Sequence, residues 1–195
     1  MKKIFLNIMM CVLFVSITVA TKGQKDSSGV YMSAVDFTNK KLTYGINCKT
    51  ENHKIKLNIF FNRDYITVIH EGNKYNISKD SVFGFKTCNG SSYRIADKID
   101  YTILNADDNL LLYEFIPMSA PKNPQPPVHK FSKGADGPML DLTIENVKNI
   151  YPDYHLFHDE IENIFRSNSS LLSYNRYHKQ YKLVRLLLNT QMATK

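Results

Sequence analysis

Hydrophobic and polar residues alternate with a period of two from residue 53 to residue 116, and short polar turns interrupt the alternation. This spacing, in segments rich in Val, Ile, Tyr and Phe, is typical of half-buried β-strands. It predicts seven strands, at residues 54–61, 65–70, 74–78, 82–87, 92–97, 101–105 and 110–116. Because the intervening turns are too short for crossovers, neighbouring strands are expected to pair antiparallel.

This meander is expected to form a small barrel or a strongly bent sheet. Within it, Asn89-Gly90 is the strongest hairpin signal, because a tight turn needs residues that tolerate positive φ. Gly84 indicates a bend rather than a binding site. The positions predicted to face inward are Ile66, Val68, Phe83, Phe85, Tyr93, Ile95, Ile103, Leu111 and Tyr113.

Three further segments surround the meander. Before it, residues 30–32 and 42–46 are expected to be extended, and Ser33 is expected to cap a single helical turn between them. With these elements the β domain covers residues 29–116. After it, residues 117–138 hold six prolines. They are predicted to form a semi-rigid linker that does not pair into a sheet.

The period becomes helical in residues 139–195, where three amphipathic helices are predicted. Thr143 is expected to cap the first, which ends before Pro152, and Asp153 is expected to cap the second. The third is predicted at residues 171–188. These helices are expected to pack on the sheet or on each other, with an exposed membrane-surface or partner-binding bundle as the alternative. The predicted class is therefore α+β, an antiparallel meander followed by a three-helix segment.

The first twenty residues have the order of a secretory signal peptide. Lys2 and Lys3 precede an apolar run that ends in small residues, a pattern typical of a cleaved leader. The run is short for a retained membrane anchor. We expect residues 1–20 to be removed, residues 21–28 to form a flexible linker, and the protein to reach the periplasm or the extracellular medium.

Charge and cysteine content narrow the range of partners. The full chain carries a formal charge of +7, and the basic residues are scattered. No nucleic-acid partner is expected, and the charge supports only weak attraction to an anionic envelope or a polysaccharide. Removal of the leader leaves Cys48 and Cys88. In an oxidising compartment they either form a disulfide or remain separate thiols.

The residues that carry metal or catalytic chemistry form no strong motif. His155 and His158 stand one helical turn apart, with Glu162 four residues further on, so they are weak candidates for metal ligands. The spacing differs from that of the zinc-protease helix, and ordinary surface pairing explains it equally. Neither a nucleophile elbow nor a Cys-His signature is present, and no cofactor is predicted.

Aromatic and basic residues alternate near the end of the chain. Tyr174, Tyr177 and Tyr181 alternate with Arg176, Lys179 and Lys182. A polysaccharide or an anionic surface would stack and pair there. A helix that buries its aromatic side and solvates its basic side produces the same pattern and is the favoured interpretation.

Two regions resemble exported proteins of Bacteroidota-type bacteria that combine a β-meander with helices. The first spans residues 65–113, with ITVI at 66–69, DSVFGF at 80–85, YRI at 93–95 and LLY at 111–113. The second contains FHD at 157–159 and HKQYKLVRLL at 178–187. The resemblance implies export and a meander followed by helices, and it implies no activity.

These observations favour a non-enzymatic binding or structural module of the cell envelope, with an envelope, glycan or protein partner. One alternative is a hydrolase or metal-dependent enzyme whose site is assembled from distant residues. The other is a lipid or glycan binder that uses the curved sheet or the tyrosine-rich segment.

Overall fold

Thirteen strands and four α-helices make up the described part of this computed structural model, which covers residues 27–51, 54–57, 63–106, 109–118 and 124–193. The strands are β1 (Ser27–Tyr31), β2 (Thr43–Asn47), β3 (Lys54–Lys56), β4 (Tyr65–His70), β5 (Asn73–Ser78), β6 (Gly84–Lys86), β7 (Ser92–Ala96), β8 (Ile99–Ile103), β9 (Leu110–Phe115), β10 (Val128–Lys133), β11 (Leu140–Asp141), β12 (Tyr174–Asn175) and β13 (Gln180–Tyr181). The helices are α1 (Ala34–Thr38), α2 (Ile144–Ile150), α3 (His155–Ile164) and α4 (Lys182–Ala193). The predicted signal peptide, residues 21–26 of the predicted linker and residues 58–61 of the first predicted strand lie outside the described residues.

Eight strands form one antiparallel sheet in the order β11-β10-β9-β8-β7-β6-β1-β2. Strands β3, β4 and β5 form a separate small sheet, and β12 pairs with β13 as an isolated hairpin. The predicted α+β class with an antiparallel meander is confirmed. The barrel alternative is wrong, because β11 and β2 end the main sheet as separate edges and do not pair with each other.

Both faces of the main sheet are buried. On the face that we call the helix face, Leu110, Leu112 and Phe131 pack against α2, α3 and α4. Val30 and Phe85 belong to a second cluster with β4 of the small sheet. The opposite face carries a third cluster, which includes Tyr31, Phe37, Phe83, Tyr101, Ile103, Leu111 and Tyr113.

Most of the predicted inward positions are buried, but they do not share one face. Eight of the nine are buried, and Tyr93 is half-buried. Ile66 and Val68 lie in the small sheet, whereas Leu111 and Tyr113 belong to the cluster on the opposite face of the main sheet. Because helices, the small sheet and α1 cover the main sheet from two sides, a central strand such as β9 buries both sets of side chains, whereas the edge strand β11 buries neither.

Gly84 lies where the backbone of β7 comes very close. A Cβ atom at this position would stand 1.9 Å from the carbonyl oxygen of Tyr93. Any side chain here would therefore separate β6 from β7, whose register pairs Gly84 with Arg94.

The prediction of an unpaired linker at residues 117–138 is wrong for its second half. Strand β10 lies within it and pairs with β9 along six residues, from Val128 opposite Phe115 to Lys133 opposite Leu110. The segment VHKFSK contains no proline, so every residue keeps the N–H that a ladder requires. The predicted 21–28 linker is likewise too long, because β1 begins at Ser27.

A polar cluster ties the residues after β10 to the opposite face of the sheet. Arg94 donates hydrogen bonds to the Tyr113 hydroxyl at 3.0 Å, to Ser132 Oγ at 3.2 Å and to the Gly137 carbonyl at 3.0 Å. Its guanidinium lies 5.1 Å from the centre of the Phe83 ring. Since Tyr113 and Ser132 are fully buried, this cluster anchors the segment after β10.

The helix boundaries agree with the sequence in part. The Ser33 and Thr143 side chains cap α1 and α2 as predicted, accepting hydrogen bonds from backbone N–H groups three residues later. Asp153 does not cap α3, because Tyr154 occupies the N-cap position without a side-chain bond. The predicted helix at residues 171–188 is wrong for residues 171–181, where a 3-10 turn and the β12–β13 hairpin replace it, and it is confirmed for residues 182–188, which belong to α4.

Candidate functional site

Residues 174–181, here called the tyrosine hairpin, stand out from the helical layer. Tyr174 pairs with Tyr181 and Asn175 with Gln180, so the turn consists of residues 176–179. The Asn175 side-chain oxygen accepts hydrogen bonds from the N–H groups of Tyr177 and His178, both at 3.0 Å. Such side-chain bonds to the following backbone define a turn and hold its tip in one conformation.

The tyrosine hairpin presents aromatic and basic side chains to solvent. Tyr177 is 88% exposed and Tyr174 is 48% exposed. Arg176, His178 and Lys179 are also exposed. The favoured expectation that this segment buries its aromatic side in a helix is therefore wrong, because the hairpin turns two of its three tyrosines outward.

A groove of about 500 Å³ separates the tyrosine hairpin from the turn between β8 and β9. Its described lining carries amide, hydroxyl, imidazole and ammonium groups beside apolar surface. The lining residues are Leu104, Asn105, Ala106, Tyr174, His178, Lys179, Gln180 and Tyr181. Asp107 and Asp108, which the sequence predicts at a solvated turn, lie outside the described residues.

Two aromatic contacts orient the rings of the tyrosine hairpin, of which Tyr174, His178 and Tyr181 line the groove. Tyr174 and Tyr181 meet edge to face, with ring centres 5.2 Å apart. The Tyr177 and His178 rings also meet edge to face, at 4.8 Å. Edge-to-face packing is a favoured geometry for aromatic pairs, so these rings are held in place before any ligand arrives.

Beneath the tyrosine hairpin, a histidine and a carboxylate face each other across two strands. His129 lies directly opposite Glu114 in the β9–β10 register, and Nε2 is 3.1 Å from a carboxylate oxygen. Burial raises the pKa of Tyr181, and the negative charge of Glu114 adds to that rise. The His129–Glu114 pair is half-buried, and the charge of the Glu114 carboxylate acts on Tyr181 of the hairpin.

The three weak metal candidates lie on α3, and two of them already have protein partners. His158 donates a hydrogen bond from Nε2 to the Tyr151 carbonyl oxygen at 2.8 Å. The Glu162 carboxylate pairs with Lys148 of α2, which lowers the Glu162 pKa. His155 is exposed. No group of three or more His, Cys, Asp or Glu side chains within the described ranges is arranged to hold a metal ion.

Cys48 and Cys88 are joined by a disulfide, with Cα atoms 5.7 Å apart. Cys48 follows β2 and Cys88 lies in the turn between β6 and β7, so the bridge links two strands that both pair with β1. The sequence identified the two thiols but did not supply the distance between them.

Sequence reasoning missed the contact between Glu114 and His129 beside the hairpin. They are 15 residues apart, with the proline-rich segment between them, and only the pairing of β10 with β9 brings them together. The exposed hairpin was missed for a different reason. Its tyrosines follow three- and four-residue steps that imitate a helix, although Asn175 is a turn-forming residue that offered a contrary signal.

Comparison with known proteins finds no matching family model, no similar curated protein and no similar solved structure. Within the described residues, none of the helices combines the length and the apolar character needed to cross a bilayer. The function must therefore be argued from the geometry of the tyrosine hairpin and its groove.

Proposed function

We propose that this protein is an exported, non-enzymatic binding module of the cell envelope, and that the tyrosine hairpin with its groove is the ligand-contacting surface. One observation carries the proposal. An 88% exposed tyrosine stands at the tip of a hairpin whose turn is held by its own side-chain hydrogen bonds.

The composition of the hairpin tip supports a role in recognition. Tyrosine and arginine are enriched at the energetic centres of binding interfaces, where a rigid ring and a planar cation bury area at low entropic cost. Tyr177 and Arg176 are neighbours at this tip. Because the turn is already ordered, binding loses less conformational entropy than it would on a mobile loop.

Export is part of the proposal, and two observations support it. The first is the order of charge and apolar residues in positions 1–20. The second is the bridge between Cys48 and Cys88, since disulfides persist in oxidising compartments and are rare in the cytosol.

Binding is tested by sedimenting the purified protein, without residues 1–20, with washed envelope fragments of the producing cell. Tyr177→Ala and Arg176→Ala are each expected to weaken binding by about tenfold, since a central interface residue contributes more than about 1 kcal/mol. Val35→Ala is the matched control, because Val35 is 66% exposed on α1, on the other side of the sheet. Equal binding by all four proteins would contradict the proposal.

Export is tested separately by amino-terminal sequencing. We expect the protein recovered from the periplasm or the medium to begin near Thr21. Recovery of intact Met1 from the cytosol would contradict this part of the proposal.

A further inference from the structure

We propose that the ligand of the tyrosine hairpin is an acidic glycan, a polysaccharide whose sugars carry carboxylate groups. This inference rests on the proposed function and assigns the chemical class of its ligand. The charge of the site, its aromatic surface and the shape of its groove support an acidic glycan as the ligand.

Two cations of the hairpin, Arg176 and Lys179, have no carboxylate paired with them among the described residues. Elsewhere, the ammonium of Lys98 lies 2.9 Å from a carboxylate oxygen of Asp64. That of Lys130 lies 2.8 Å from a carboxylate oxygen of Asp141. The hairpin therefore exposes two cations that form no ion pair with a described residue, and such cations favour an anionic ligand.

Arginine and lysine suit carboxylates in different ways. A guanidinium matches a carboxylate with two parallel hydrogen bonds, whereas an ammonium acts as a point charge. Arg176 and Lys179 begin and end the four-residue turn, and His178 adds a third nitrogen-bearing side chain between them. No carboxylate contributes to the described lining of the groove. The turn thus offers two cationic positions to successive acidic groups along a chain.

The exposed tyrosines add an apolar contact surface that suits a sugar ring. A pyranose ring has apolar C–H faces and a rim of hydroxyls, and a tyrosine side chain combines an apolar ring with one polar group. Tyr177 and Tyr174 expose their rings, and the edge-to-face contact of Tyr174 with Tyr181 leaves Tyr174 half-exposed. A ligand with alternating apolar faces and charged groups fits this arrangement.

The shape of the site favours an acidic glycan over an anionic membrane as the ligand. A membrane surface is met by side chains that project from one apolar plane. Here Lys179, His178 and Tyr174 border a groove of about 500 Å³, and Arg176 and Tyr177 lie in the adjoining turn of the hairpin. An extended polymer enters such a groove, whereas a lipid bilayer does not.

The test compares polygalacturonate and alginate with the same polymers after chemical reduction of their carboxylates to alcohols. Titration calorimetry is performed on the protein without residues 1–20, at 20 and at 200 mM NaCl. We expect at least tenfold tighter binding to one native polymer than to its reduced form, and we expect the difference to shrink at the higher salt concentration.

Two double variants with equal net charge show which cations bind the polymer. Arg176→Ala/Lys179→Ala is expected to lose at least tenfold in affinity for the native polymer and to leave binding of the reduced polymer unchanged. Lys56→Ala/Lys74→Ala, on the exposed surface of the small sheet, is expected to retain wild-type affinity. Tyr177→Ala is expected to weaken the binding of both forms.

Several results would overturn the assignment. Equal affinity for native and reduced polymers, with dependence on Tyr177, would reject the acidic class and leave the hairpin as a binding surface. Binding that none of the hairpin variants alters would reject the hairpin itself. Failure to bind either polyuronate would reject the assignment, as would a preference for phosphatidylglycerol vesicles or single-stranded DNA over both polymers.

Discussion

Replacement of both Cys48 and Cys88 by Ser is expected to lower the free energy of unfolding by about 4 kcal/mol. The bridge joins residues separated by 40 positions in sequence. For a loop of about 40 residues, the loop-closure entropy removed from the unfolded chain corresponds to about 4 kcal/mol at 25 °C. For a domain of this size the melting temperature should fall by about 8–16 °C.

The bridge also has a local role that predicts where the protein loosens. The loop between the two cysteines contains the small sheet, and β2 is an edge strand held in the main sheet by its pairing with β1. Hydrogen exchange in the double variant should therefore accelerate most in β2 and in the small sheet. Amides of α2, α3 and α4, which pack around Phe157 and Leu183, should retain their protection.

The assay is urea unfolding followed by circular dichroism, with the oxidised protein, the same protein reduced by dithiothreitol, and the double Ser variant. The reduced protein and the variant should unfold at the same midpoint, because both lack the loop constraint. A difference of less than about 1 kcal/mol from the oxidised protein would refute the loop-closure argument. Uniform acceleration of hydrogen exchange across α2, α3 and α4 would refute the local role of the disulfide.

Three further predictions concern backbone contact, buried charge and the groove. Gly84→Ala should destabilise the protein by about 3 kcal/mol in urea unfolding, because its Cβ would lie 1.9 Å from a carbonyl oxygen of β7. Gly45→Ala in edge strand β2, where the nearest atom is 3.3 Å away, should cost far less, and equal losses would contradict this reason. Burial raises the pKa of Asp100 above its ordinary value of 3.8, so the folded protein takes up this proton at higher pH than the unfolded chain does. The stability of the wild type relative to Asp100→Asn should therefore rise as the pH falls from 7 toward 3.8, and a flat difference would refute the assignment. Finally, Glu114→Gln should lower the pKa of Tyr181, measured by ultraviolet titration against a Tyr181→Phe reference, while burial keeps that pKa above its ordinary value; an unchanged pKa would contradict the charge coupling.

Local patterns were sufficient for the elements whose stability is itself local. Strand β4 has the predicted bounds, because it is a run of β-branched and aromatic residues that ends at a turn in which Gly72 adopts a φ of 78°. Helix α2 begins after Thr143 as predicted, since the capping hydroxyl lies only three residues from the N–H that it satisfies. Such elements depend on residues that are neighbours in the chain.

Elements that depend on a distant partner were misjudged. Strand β10 follows a run of prolines and becomes a strand because β9 offers it a free edge. There a local preference of a few tenths of a kcal/mol per residue was outweighed by tertiary pairing. The stripe of aromatic residues at 174–181 was misjudged for a local reason, because its helical spacing concealed the turn signal of Asn175 in a hairpin that pairs within eight residues.

By itself, the sequence determined the α+β class, the succession of most strands, two helix caps and the identity of the cysteines. The tertiary structure alone decided that the sheet stays open, that Cys48 meets Cys88, that Glu114 faces His129, and that Tyr177 points into solvent. The physical reason is that periodicity and capping depend on residues only a few positions apart in the sequence. Sheet edges, bridges and binding surfaces arise instead where segments far apart in the chain come into contact.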